Sequence, residues 1–154
     1  MWYGPFWIFL IVSVALACIA AAIRGFTFVD IQLLIMIVAM VMSCDMIFCK
    51  QLHMYGYVSE DFRGWYSFWA NLVIIPALGL VFIKFAPKSM MGIASYIVAW
   101  SVGFTWFEIF IAEPYGIIDY PKWKVFPYST IGYVITLGWA YVYYKLLQKR
   151  TKAS

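Results

Sequence analysis

Two acidic residues, Asp45 and Glu108, stand inside long apolar stretches, IMIVAMVMSCDMIFC and VAWSVGFTWFEIFIA. A carboxylate in hydrocarbon costs several kcal/mol unless it is paired, so such a residue marks a functional site by default. Two of them brought together share a proton or hold a cation, because like charges in a low dielectric force one group to stay protonated. Such a pair also suits proton chemistry, with Glu108 as general acid and Asp45 as base. The plainer alternative is that each sits protonated in a structural hydrogen bond. Neither stands beside a nucleophile–base arrangement of His, Cys or Ser. Cys18, Cys44, Cys49 and His53 lack the spacing of metal ligands, so neither a metal nor another cofactor is implied.

The elements that must position these groups follow from composition. The 154 residues are 66% hydrophobic and 12% charged, with a mean hydropathy of +0.86. A soluble domain is about half apolar and about a quarter charged, so lipid is the solvent for most of this chain. Aromatic residues make up 21%, and Trp2, Trp7, Trp65, Trp69, Trp123 and Trp139 near segment ends read as interfacial belts. The net charge of +4 is carried by basic residues between the apolar segments and at the C-terminus. That distribution sets membrane orientation and excludes a nucleic-acid partner.

A span needs about 20 mostly apolar residues. Five segments qualify, at about 5–23, 31–49, 65–85, 90–112 and 126–147, within one domain covering 1–154. The expected fold is an all-α, up-and-down membrane bundle. The first segment lacks the basic flank of a signal peptide, and Arg24 follows its apolar run, which favours a retained helix. With the N-terminus outside and the C-terminus in the cytoplasm, seven Lys and Arg lie inside and Lys50, Arg63, Lys122 and Lys124 outside. The longer loops, 50–64 and 113–124, are then external. The first of these carries a solvated pair, Glu60 and Asp61.

Depth gives the sharpest signal. Asp45 falls four or five residues short of the outer end of its segment, roughly 6–8 Å at 1.5 Å per residue. Glu108 lies at a similar depth, as do Ser67 and Asn71 in the third segment and Ser129 and Tyr133 in the fifth. Ser101, Thr105 and Glu108 share one helical face, as do Ser129, Tyr133, Thr136 and Ala140. Trp106 stands beside Glu108 as a candidate aromatic wall. Gly92, Ser95, Ala99 and Gly103 form a small-residue ridge of the type that close helix contacts use in membranes. Pro76 predicts a kink in the third segment. The hydroxyls and the amide can instead be interhelical glue, worth about 1 kcal/mol each or less.

The stretch WFEIFIAEPYGIIDYPKWKVFPYSTIGY, residues 106–133, resembles an uncharacterised family of small integral membrane proteins common in endospore-forming bacteria. The resemblance rests on Glu108, Gly116, Tyr120, Trp123, Ser129 and Tyr133. It extends to SCDMIFCKQL with Asp45 and to NLVIIP with Asn71 and Pro76. It implies a multi-pass bacterial cell-membrane protein of four or five helices and assigns no activity. Three functions fit these residues. The leading one is a non-enzymatic subunit of a membrane assembly, with another membrane protein or a second copy as partner and lipid around it. The others are a cation, proton or small-solute pathway through Asp45 and Glu108, and an enzyme acting on a lipid or isoprenoid.

Overall fold

In hydrocarbon each backbone N–H and C=O must be satisfied within its own segment, which makes the apolar runs helical. A computed structural model describes residues 4–57 and 64–153; Trp2, Glu60, Asp61 and Arg63 lie outside the described residues. Five helices result: α1 (Gly4–Arg24), α2 (Phe28–Gln51), α3 (Trp65–Lys84), α4 (Met90–Ala112) and α5 (Thr130–Ala153). Among the described residues the first four are long and apolar enough to cross a membrane. The 24-residue α5 is long enough, but its basic tail KLLQKRTKA dilutes its apolar character.

The central element is α3, with 56% of its span buried against 17–22% for α1, α2 and α4. Along it pack α1 on one side and α2 on another, while α5 contacts α2, α3 and α4. Two apolar cores stack along this axis. One joins Phe6, Tyr66, Ala70, Ile74, Ala112 and Ile117; the other, nearer the opposite end, joins Leu33, Ile37, Phe82, Ile83, Ile93 and Leu137.

The start of α2 departs from the expected boundary by three residues, and the cause is local. Thr27 offers its backbone N–H (2.6 Å) and its hydroxyl (2.8 Å) to Asp30 Oδ2, fixing the first turn. The same oxygen accepts a 2.7 Å ion pair from Lys84 at the end of α3, and both side chains are buried. The hydropathy profile leaves Asp30 in a connecting loop. The spacing Thr27-x-x-Asp30, which resembles a capping box, is the signal that would have placed it in the helix.

The two loops at the other end pair with each other. A short antiparallel ribbon sets β1 (Gly56–Tyr57) against β2 (Ile118–Asp119), Gly56 opposite Asp119 and Tyr57 opposite Ile118. The second loop leaves α4 through a Schellman turn. Ile117 N–H reaches Ala112 O at 2.7 Å and Gly116 N–H reaches Glu113 O at 2.9 Å, with Gly116 at φ +62°. Ile117 and Ala112 are both buried in the core beneath it. A left-handed residue with a Cβ costs about 1–2 kcal/mol. Gly116→Ala will therefore lower the unfolding free energy in detergent by about that much; an unchanged denaturation midpoint would contradict this account of the turn.

Small residues are used differently from the expected ridge. Ser95, Ala99 and Gly103 face outward, and a Cβ on Gly103 would meet no atom within 4 Å. The close internal approach is made instead by Gly79 of α3, where a Cβ would come within 2.7 Å of Ile37 Cδ1 on α2.

Candidate functional site

Helix geometry changes where the polar side chains gather. The Met46–Gln51 turn directly after Asp45 is widened to i→i+5 bonding, as are Ala70–Ile74 around Asn71 and Glu108–Ala112 beginning at Glu108. Leu52 N–H bonds Ile47 O, Ile75 N–H bonds Ala70 O and Glu113 N–H bonds Glu108 O, each five residues back. An inserted residue of this kind re-aims the side chains around it, and such turns concentrate at functional sites. In α3 the wide turn ends just before Pro76, which has no N–H to give. Before α5, the segment Val125–Ser129 breaks at Phe126 and delivers Ser129 and then Tyr133 to the same level.

These turns surround a half-open cavity of about 310 Å³. Its walls are apolar and aromatic, including Phe9, Met40, Phe48, Leu78, Phe107 and Leu137. Its polar groups are Glu108, Asn71, Ser129, Tyr133 and Thr136 from the helices, with Tyr55, Tyr57 and Tyr120 from the paired loops. Glu108 is 7% exposed; its Oε1 accepts the Tyr133 hydroxyl at 2.5 Å, while its Oε2 is buried with no hydrogen-bond partner. The Tyr120 hydroxyl is buried beside Glu108 and interacts with it, though among the described residues neither Tyr120 nor Glu108 Oε2 makes a hydrogen bond of good geometry. Trp123 Nε1 donates to Ser129 Oγ at 2.9 Å and packs against Phe48 and Tyr128, holding the loop over the opening of α5.

The candidates thus divide. Glu108, Asn71, Ser129, Tyr133, Tyr120 and Trp123 share the cavity wall. Asp45 and Ser67 do not. Asp45 is buried, accepts the Ser67 hydroxyl and leaves Oδ1 unpartnered. The two carboxylates do not bond each other, and Tyr57 lies in the field of both. Thr105 is glue: its hydroxyl donates to Ser101 O and meets Thr130 Oγ1, both at 2.8 Å. Trp106 is 61% exposed and packs on Phe110, away from the cavity, because a two-residue step turns it to the far side of the helix from Glu108. Gly116 acts through the turn described above. Sequence reasoning did not single out Tyr55 and Tyr57 as site residues. They lie in a polar loop without periodicity, and only the ribbon pairing carries them over the cavity.

The loop phenols are poor acids here. Burial pushes Tyr57 well above the ordinary tyrosine value, and the charges of Asp45 and Glu108 add to it. Burial raises Tyr120 as well, with Glu108 the next cause. The neutral phenols therefore stabilise the fold fully below the ordinary value of about 10, and this is lost as pH rises toward their folded values. An alkaline absorbance titration will show tyrosines that ionise only when the fold opens. If all titrate together near pH 10 in the folded protein, the loops do not cover the cavity.

A second apolar hollow, about 430 Å³, lies between α1 and α4. Ala99, Trp100 and Gly103 form one side of it. Phe9, Leu78, Phe104 and Phe107 line both hollows and form the partition between them, with Phe9 stacked on Phe107 at 4.5 Å. No protein-family model matches the chain, and neither a curated protein nor a solved structure is significantly similar to it.

Proposed function

We propose that the chain is a five-span protein of a bacterial cell membrane, N-terminus outside, whose bundle holds a small membrane-dissolved molecule in the Glu108 cavity. The orientation rests on the excess of Lys and Arg at the Arg24, Lys84 and C-terminal end. The binding reading rests on one observation: Glu108 Oε2, buried and without a hydrogen bond of good geometry among the described residues, on the wall of a mostly apolar cavity. A buried polar atom without a partner is costly, and an apolar cavity with a few convergent polar groups is the ordinary form of a ligand site. A joint cation site, or an acid–base pair across one substrate, gains less support, since Asp45 lies off the cavity wall.

The test is native mass spectrometry of protein extracted gently from its own membranes. Wild-type protein will carry a retained small molecule. A hydrogen bond to a charged group contributes about 1.5–3 kcal/mol, so Glu108→Ala will lower its occupancy about tenfold or more. Protein that emerges with no adduct under several mild detergents would end this reading.

A second reading, a subunit of a larger assembly or a homo-oligomer, draws on the outward-facing Ser95, Ala99 and Gly103. Small residues let a neighbouring helix approach closely. Crosslinking in native membranes that leaves the chain monomeric would remove it.

A further inference from the structure

We propose that the occupant is a single-chain amphiphile with a hydroxyl or protonated amine head, and that phosphate- and carboxylate-headed lipids are refused. This rests on the binding reading above and assigns the chemistry of that site. The polar end presents Glu108 Oε2 and the Tyr120 hydroxyl, which lie beside each other without a hydrogen bond of good geometry among the described residues. An alcohol can donate to the carboxylate and accept from the phenol, whereas an ammonium can donate to both. Asn71, also on the wall, offers an amide of either polarity.

Charge excludes the other heads. Among the described residues no Lys, Arg or His lines either hollow, so an anionic head would be buried there with no counter-charge. A buried charge left without a partner costs enough to weaken binding about a hundredfold. Size limits the body: about 310 Å³ is at the small end of ligand sites, which suits one chain and not a two-chain phospholipid. The source is the bilayer, because Phe9, Leu78, Phe104 and Phe107 line both the cavity and a second hollow flanked by the outward-facing Ala99 and Gly103.

The full-length protein in phosphatidylcholine nanodiscs is offered tetradecanol, tetradecylamine or tetradecyl phosphate at matched membrane concentration. Occupancy is read by native mass spectrometry. The alcohol and the amine will be retained, and the phosphate will be at least about tenfold lower. In Glu108→Gln, retention of the amine will fall about tenfold relative to the alcohol, because its counter-charge is gone. Phosphate bound as well as the alcohol in wild-type protein overturns the assignment. Retention of none of the three overturns it too. If a native occupant is nonetheless carried from the cell membrane, only the head-group chemistry falls; if none is, the binding reading falls with it.

Discussion

Lys84→Met will destabilise the bundle by about 3–5 kcal/mol, the cost of leaving one member of a buried ion pair alone. Lys84 is 5% exposed and Asp30 fully buried, and their 2.7 Å contact ties the end of α3 to the start of α2. Tyr144 of α5 lies beside Asp30, so three helices meet at this charge. With the ammonium gone, Asp30 would keep the Thr27 donors and the nearby Tyr144 hydroxyl but no counter-charge. Removing both charges is different. Asp30→Asn with Lys84→Met keeps an oxygen for Thr27 and buries no net charge, so the double variant will return to within about 1 kcal/mol of wild type. Denaturant titration in a fixed micelle, followed by circular dichroism, measures all three. Should Lys84→Met alone unfold at the wild-type midpoint, the pair does not hold the helices together.

Gly132→Leu will lower retention of the native molecule about tenfold or more without loss of stability. Gly132 stands on the cavity wall of α5, and a Cβ there would meet no atom within 4 Å. A leucine at that position fills space that a guest would occupy. In the first turn of α5 it also replaces glycine, a poorer helix former, so the unfolding midpoint will hold or rise. This variant separates occupancy from folding in a way that Glu108→Ala cannot, because it leaves every polar group of the site in place. The readout is the fraction of protein carrying the retained mass. An unchanged fraction would mean that the guest sits elsewhere.

Local sequence rules reach a definite distance in this protein. Segment four, expected at 90–112, is found at Met90–Ala112, because an apolar run bounded by Lys88-Ser89 and Glu113-Pro114 leaves little room for another boundary. Ser101, Thr105 and Glu108 do share a buried face, since their spacing is set by the helix itself. The stripe Ser129, Tyr133, Thr136 and Ala140 likewise lines one cavity. What spacing could not convey is the widened turns at Met46, Ala70 and Glu108. Their extra residue shifts the phase of everything beyond them, and a hydrophobic pattern of period 3.6 has no mark for it.

The amino-acid sequence by itself determined an all-helical chain in which, among the described residues, four helices are long and apolar enough to cross a membrane. Apolar runs of about 20 residues suit helices, which satisfy every backbone group within one segment. Tertiary structure alone decided that Glu108 faces a cavity while Asp45 turns to Ser67, that Lys84 answers Asp30 across 54 residues, and that two distant loops pair to bring Tyr57 over the site. Depth along a helix is a property of one segment, but direction around the bundle depends on which helices become neighbours, and no single segment carries that information.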